Sequence, residues 1–126
     1  MYLLDTNTVI NFLDAELPAS AIQSLNNIVD EQCNISIITK MEALGYNFKT
    51  IADQNTMEAF INGSNILEIN NEVVNRTIVI RKSKKIDLPD AIIAATALIS
   101  NLILITRNIA DFKNIPGLQV IDPNNL

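Results

Sequence analysis

The sequence contains no histidine, and this absence removes several kinds of chemistry at once. Nucleophile pairs in which a histidine activates a serine or a cysteine are excluded, as is proton transfer by an imidazole. Most protein zinc sites are excluded as well, because they use histidine or several cysteines. Any catalysis by this chain must therefore rest on carboxylates, hydroxyls, amides, amines or a hard metal ion.

Cysteine is limited to Cys33, which lies in an apolar segment. A single cysteine forms neither an internal disulfide nor a metal site with several thiolates, and such usage favours a reducing compartment. We expect Cys33 to be a core residue. Asp5 interrupts the N-terminus too early for a signal peptide, and the longest apolar segment, residues 91–105, is too short and too polar for a membrane span. The sequence therefore predicts a soluble, cytoplasmic protein.

Basic residues are also few, with 9 lysines and arginines against 14 acidic residues and a net charge of −5. This balance argues against broad, non-specific affinity for nucleic acid. Glycine and proline are rare and 48% of the residues are apolar, which is typical of a compact globular protein. We predict one domain spanning residues 1–126.

Short apolar runs alternate with segments of helical spacing along the whole chain. We predict strands at residues 2–5, 34–38, 65–69, 102–105 and 118–121, and helices at 7–14, 19–31, through the forties, 53–62, 71–83, 88–100 and 108–112. In the helix at 71–83 we expect Val73, Val74, Ile78 and Val79 to be buried; a strand over 77–80 is the alternative. The alternation predicts an α/β fold with a mostly parallel sheet of about five strands flanked by helices.

Four acidic residues, Asp5, Glu42, Asp90 and Asp111, fall near the predicted carboxyl ends of these strands or at the start of a buried helix. Each has a purely structural interpretation. Thr39 and Glu42 have the spacing of a capping box, and Asp90 suits the first turn of a helix. Asp5 and Asp111 also fit helix starts, where Asn108 would cap the turn that contains Asp111.

Taken together, the four acids predict a cation site. Parallel strands place their carboxyl ends at one edge, where ligands bind in open α/β sheets. Carboxylates at such short separations repel one another and raise one another's pKa unless a cation is present. Oxygen ligands without histidine or cysteine suit Mg²⁺ or Mn²⁺, and Mg²⁺ commonly bridges to phosphates. The neighbouring side chains able to orient carboxylates or water are Thr6, Asn7, Thr106 and Asn108.

The segments around these acids resemble the PIN domain and, within it, the small VapC-type toxins of prokaryotic toxin–antitoxin pairs. The resemblance covers nearly the whole chain. It rests on Leu4-Asp5-Thr6-Asn7, on Glu42, on Leu88-Pro89-Asp90-Ala91, on Leu104 to Asn108 with Asp111-Phe112, and on Pro116-Gly117-Leu118.

The resemblance implies a metal-dependent endoribonuclease in which a metal-activated water attacks an RNA phosphodiester. Residues matching Asp5 and Asp90 would be the principal ligands of one or two Mg²⁺ or Mn²⁺ ions. Glu42 would be a ligand or would position the water, and Asp111 would complete the site, with Thr6 and Asn108 in support. The resemblance also implies a homodimer and inhibition by a co-expressed antitoxin. It does not specify which RNA is cut.

Four of the nine basic residues lie in one segment: Arg81, Lys82, Lys84 and Lys85. These cations fit the end of a helix, where they complement the dipole, or simply a solvated surface. Alternatively they form a phosphate-contacting rim that leads to Asp90. Arg107, close in sequence to the fourth acid, is a further candidate for contact with RNA.

Two other functions compete with the nuclease interpretation. One is a PIN-like module that binds RNA or protein without cutting. The other is a phosphatase of the haloacid dehalogenase type, in which Asp5 would be the nucleophile. That family usually has a second aspartate two positions later, where this chain has Asn7.

Overall fold

Five short parallel strands form one sheet in the spatial order β3-β2-β1-β4-β5. The structure is a computed structural model and describes residues 1–126. The strands are β1 (Tyr2–Leu4), β2 (Asn34–Ser36), β3 (Asn65–Leu67), β4 (Ile103–Ile105) and β5 (Val120–Ile121). The predicted α/β class, the parallel sheet and the strand number are confirmed.

Seven helices flank the sheet. They are α1 (Thr6–Leu13), α2 (Ala19–Glu31), α3 (Ile37–Leu44), α4 (Ile51–Asn62), α5 (Asn71–Ser83), α6 (Leu88–Ile99) and α7 (Ile109–Phe112), followed by a 3₁₀ turn at Pro123–Asn125. The bounds of α2 and α5 are those predicted from the sequence. None of the helices combines the length and the apolar character that crossing a membrane requires.

The central strand β1 separates two hydrophobic cores. Successive side chains of a strand point to opposite faces, so Leu3 enters one core and Leu4 enters the other. On the first face the core is completed largely by α5 and α6, and on the second by α1, α2 and α4. This arrangement fixes the carboxyl ends of β1, β2 and β4 side by side at one edge of the sheet.

The second predicted strand was too long, and its helix starts earlier than expected. Ser36 caps α3 by accepting a hydrogen bond from the Ile38 N–H at 3.1 Å. Ile37 and Ile38 therefore belong to the first turn of a helix, although their apolar side chains suggested a strand. The prediction that Thr39 caps this helix is wrong, because Thr39 lies inside it.

The buried side of α5 is narrower than predicted. Val73, together with Thr77 and Ile80, forms the buried stripe, and α5 packs extensively against α6. Ile78 and Val79 lie on the adjacent surface and are 49% and 60% exposed, and Val74 is exposed as well. The prediction that these three are buried was wrong, because one neighbouring helix covers only the stripe at positions 73, 77 and 80. The alternative strand over residues 77–80 is excluded by α5 itself.

Candidate active site

The candidate site lies where β1, β2 and β4 end. Asp5 directly follows β1, and α3, which carries Glu42, begins after β2. The segment with Thr106 and Asp111 follows β4, and Asp90 lies in the first turn of α6. The charges of Asp111, Glu42 and Asp5 all act on Asp90, which shows that the fold brings the four acids together.

Asp5 is the deepest of the four acids and is only 5% exposed. Its Oδ1 accepts the Thr8 N–H at 2.8 Å, so Asp5 caps α1. Its Oδ2 accepts the Thr106 hydroxyl at 2.5 Å. Burial raises the pKa of Asp5, the bonds from Thr106 and Thr8 oppose this rise, and the charge of Glu42 adds to it. The Thr8 N–H and the Thr106 hydroxyl thus fix the orientation of the Asp5 carboxylate.

Glu42 is exposed on α3 and is held by a hydroxyl from another helix. Thr6 Oγ1 in α1 lies 2.6 Å from Glu42 Oε1, and it lies 3.1 Å from Thr39 Oγ1. The capping-box interpretation of Glu42 is therefore wrong: its carboxylate meets Thr6 and does not return to the start of α3. The sequence expectation that Thr6 supports an acid is matched by this contact.

A chain of hydrogen bonds joins Asp5 to Asp111. Thr106, which donates to Asp5, also accepts the Asn108 N–H at 3.0 Å. The Asn108 side-chain amide in turn donates to Asp111 Oδ2 at 2.5 Å. The predicted cap was only partly correct: Asn108 occupies the position before α7, but its side chain makes no capping bond and contacts Asp111 instead.

The pKa of Asp90 is strongly raised by its surroundings. Burial and the charges of Asp111, Glu42, Asp5 and Asp87, in that order, raise its pKa from 3.8 to about 6. The helix begins at Leu88; the side chain of the preceding Asp87 makes no capping bond, and Pro89 lies in the first turn. Asp90 is therefore at a helix start, as the structural interpretation held, and the charges of four other carboxylates act on it.

The donor set suits a hard cation, although the side chains do not form a ready-made cage. All candidate donors are oxygens, which Mg²⁺ and Mn²⁺ prefer. No group of three acids is already close enough to enclose an ion. Like charges keep the carboxylates apart, and Thr6 and Asn108 hold Glu42 and Asp111 individually. Burial and, after it, the charges of the neighbouring acids raise the pKa of Asp90.

The segment from residue 2 to residue 118, which contains all four acids, matches the family model described as PIN domain. The chain belongs to the PIN-domain family. It is 30% identical over 129 residues, with 96% of each protein covered, to the tRNA(fMet)-specific endonuclease VapC of Salmonella typhimurium. This makes the chain a PIN domain of the VapC type.

Solved structures agree with this assignment. A toxin–antitoxin complex from Klebsiella pneumoniae contains a chain that matches with a TM-score of 0.77 at 32% identity, and both chains are covered completely. A DNA-bound VapBC complex from Salmonella typhimurium matches with a TM-score of 0.82 at 28% identity, with 97% of each chain covered. The present PIN domain thus shares its fold with chains of these two complexes.

The other predicted residues of the PIN domain are divided between the site and its surroundings. Asn7 is exposed and forms no hydrogen bond to an acid. It lines a shallow depression beside the site with Asn11, Arg107 and Asn108. Among the basic residues, Arg81, Lys82 and Lys85 are exposed, whereas Lys84 Nζ donates to the Lys113 carbonyl at 2.8 Å. Lys84 therefore joins the end of α5 to the segment just after Asp111.

Two threonines of the site were not identified from the sequence. Thr8 donates its N–H to Asp5 and its hydroxyl to the Ile105 carbonyl at 3.1 Å, so it attaches α1 to β4. The available signal was its position three residues after Asp5, the usual spacing for a capped residue. Thr39 was identified only as a helix cap; Ser36, another capping residue three positions earlier, was the signal against that interpretation.

Proposed function

We propose that this PIN domain is the toxin of a toxin–antitoxin pair and hydrolyses RNA phosphodiester bonds with Mg²⁺ or Mn²⁺. One observation carries the proposal: at the sheet edge, burial and the charges of Asp111, Glu42, Asp5 and Asp87 raise the pKa of Asp90 to about 6. A group of acids that repel one another costs stability unless a cation neutralises their charge. The family assignment supplies the reaction class that fits such a site.

The proposed ligands are Asp5, Glu42, Asp90 and Asp111. A divalent ion bound there supplies positive charge to the phosphate and lowers the pKa of a bound water. The protein's own residues fix the donors: Thr106 and the Thr8 N–H orient Asp5. Asn108 orients Asp111 and Thr6 orients Glu42. Second partners of this kind commonly set the affinity of a metal site.

Transfer RNA is the substrate class to test first. The Salmonella relative that is 30% identical to this chain is named as a tRNA(fMet)-specific endonuclease. We propose that the phosphate backbone approaches from the side of Arg107, Arg81, Lys82, Lys84 and Lys85. Lys84 lies beside Lys113, so the end of α5 and the segment after α7 together place positive charge near Asp111. This local positive charge would attract phosphates even though the whole chain has a net charge of −5.

An antitoxin protein is the proposed regulatory partner. The structures that resemble this chain at 25% identity or more include toxin–antitoxin or VapBC complexes from Klebsiella pneumoniae, Rickettsia felis and Salmonella typhimurium. By analogy, a cognate antitoxin would bind this chain and block its site. The proposed place of action is the cytoplasm, where the RNA substrate and the antitoxin occur together.

The homodimer implied by the family resemblance stays a prediction. The exposed apolar side chains Val74, Ile78 and Val79 on α5 are the surface we assign to it. Sedimentation of the purified chain should then show a dimer, and Val79→Lys should yield a monomer with unchanged circular dichroism. A wild-type monomer at micromolar concentration would contradict the prediction.

RNA cleavage by the purified, antitoxin-free chain tests the proposal. We expect cleavage with Mg²⁺ or Mn²⁺, none with a chelator, and a loss of about 100-fold or more in Asp90→Asn. Asp53→Asn is the matched control, because Asp53 occupies the same first-turn position of α4 and is not among the charges that act on Asp90. Cleavage that survives in both Asp5→Asn and Asp90→Asn would refute the nuclease.

The same experiment separates the competing functions. RNA binding without cleavage, under conditions in which Mn²⁺ binds, would favour the non-catalytic module. A phosphatase would instead form a phosphorylated Asp5, which mass spectrometry of the trapped protein would detect. The sequence disfavours that function because Asn7 stands where the phosphatase family usually has a second aspartate.

A further inference from the structure

Thr39 makes a hydrogen bond that differs from those of three other helical threonines in this chain. Thr56, Thr77 and Thr96 each donate to the carbonyl four residues earlier in their own helix, at 3.0, 2.7 and 2.7 Å. Thr39 is completely buried within α3, and its hydroxyl is bonded instead to Thr6 Oγ1, in α1, at 3.1 Å. The local option common in helices is therefore not used at this position.

The direction of this hydrogen bond follows from counting hydrogens. Each hydroxyl has one hydrogen to donate, and an ionised carboxylate can only accept. Thr6 Oγ1 lies 2.6 Å from Glu42 Oε1, so the Thr6 hydrogen belongs to that shorter contact. The hydrogen between the two threonines is then that of Thr39. The chain runs from Thr39 to Thr6 to Glu42, and it leaves no buried polar side-chain atom without a partner.

We infer that Thr39 is a positioning residue that directs the Glu42 carboxylate toward the site through Thr6. The inference rests on the proposed function, because the directed carboxylate serves as a ligand there. Glu42 is exposed, and Thr6 is its one side-chain hydrogen-bond partner. A free glutamate would populate several rotamers, and ordering it costs entropy. Thr39 reduces this entropic cost before a metal binds, because it fixes the rotation of the Thr6 hydroxyl that holds Glu42.

Two variants of Thr39 separate its hydroxyl from its volume. Thr39→Val replaces the hydroxyl with a methyl group of similar size, and Thr39→Ser keeps the hydroxyl. Calorimetry with Mn²⁺ should show an affinity about tenfold lower for Thr39→Val, at the lower end of the effect of outer hydrogen-bond partners. RNA cleavage should fall by a similar factor. Thr39→Ser should stay within about twofold of the wild type on both measures.

The order parameter of the Thr6 methyl group, measured by NMR in the metal-free protein, provides a readout that depends on neither metal nor RNA. It should fall in Thr39→Val and be preserved in Thr39→Ser. A purely structural role of Thr39 would lower the melting temperature of the valine variant while leaving Mn²⁺ affinity unchanged. That combination would overturn the inference.

A double variant checks that Thr39 acts through Thr6. In a Thr6→Val background, Thr39→Val should cause no further loss of Mn²⁺ affinity, because the connection is already broken. An additional tenfold loss would overturn the inference. Wild-type protein that neither binds Mn²⁺ nor cuts RNA would refute the proposed function instead. The order parameter of the Thr6 methyl group would then be the remaining test of the positioning role. An unchanged value in Thr39→Val would refute that role.

Discussion

Replacing Asp90 with asparagine should stabilise the metal-free protein, although it removes a proposed ligand. Asp90 is half-buried in the first turn of α6, and its pKa rises from 3.8 to about 6 because of burial and the charges of the other acids. The unfolded chain does not have this environment, so its Asp90 ionises near pH 3.8. Asparagine carries no charge and avoids the cost of ionising at this position.

The size of the effect follows from the pKa difference. About two units correspond to about 3 kcal/mol, at roughly 1.4 kcal/mol for each unit. Asp90 keeps substantial solvent contact, and screening reduces this cost to about 1–2 kcal/mol. The variant also loses a favourable charge at a helix N-terminus, worth about 0.3–1 kcal/mol. We expect a net gain of about 1 kcal/mol, or about 3–5 °C in melting temperature.

The gain should depend on pH in a defined direction. Below pH 3.8 Asp90 is protonated in both the folded and the unfolded protein, so its ionisation does not change the free energy of unfolding. Between pH 3.8 and about 6 the unfolded chain releases the proton first, so the stability of the wild type falls as the pH rises. The cost is complete above about pH 6. The advantage of Asp90→Asn should therefore be small near pH 4 and full near pH 7.5.

Urea unfolding in the presence of a chelator, at both pH values, measures this advantage. Asp53→Asn is the control, since Asp53 lies in the first turn of α4, is exposed and is not among the charges that act on Asp90. It should lose about 0.3–1 kcal/mol through the helix dipole alone. Near neutral pH the two variants should therefore change the free energy of unfolding in opposite directions. A destabilised Asp90→Asn, or an advantage that does not change between the two pH values, would refute the reasoning.

Three further predictions concern metal, the support of Asp5 and RNA. Mn²⁺ at 100 times its dissociation constant should stabilise the wild type by about 2.7 kcal/mol, and this shift should vanish in Asp90→Asn; an equal shift in both would place the ion elsewhere. Thr106→Val should lower the free energy of unfolding by about 1–3 kcal/mol, because buried Asp5 loses its 2.5 Å partner, whereas Thr106→Ser should retain it; chemical denaturation distinguishes them. Lys85→Ala should weaken binding of transfer RNA and lower the salt dependence of that binding by about one counterion, and an unchanged slope in a filter-binding titration would remove Lys85 from the interface.

Local sequence patterns identified most of the fold. The helical spacing in α2 and α5 gave their bounds correctly, and the alternation of strands with helices gave the parallel sheet. The failures occurred where two local signals competed. Ser36 and Thr39 are both good capping residues. Ser36 is the cap in the structure, where Ile38 is buried in a hydrophobic core. The exposure of Val79 likewise depends on which helix lies alongside α5, which periodicity does not reveal.

The positions of the four acids were predictable, but their partners were not. The acids follow strands or begin a helix, and the sheet topology is enough to bring them to one edge. The contacts that hold them join residues far apart in the chain: Thr6 and Glu42 are 36 positions apart, and Asp5 and Thr106 are 101 apart. No local pattern specifies such pairs. They depend on the register of β1 between β2 and β4, which only the packed structure determines.

The central place of β1 has a consequence for synthesis of the protein on the ribosome. The first strand to emerge pairs on one side with β2 and on the other with β4, whose residues Ile103 to Ile105 are made near the end of translation. Asp5 likewise gains its hydrogen-bond donor only after Thr106 has been synthesised. Contacts between such distant positions form slowly and late. A nascent chain that stops before residue 103 lacks both the strand and the hydroxyl, so premature termination or proteolysis of the growing chain should release fragments without nuclease activity.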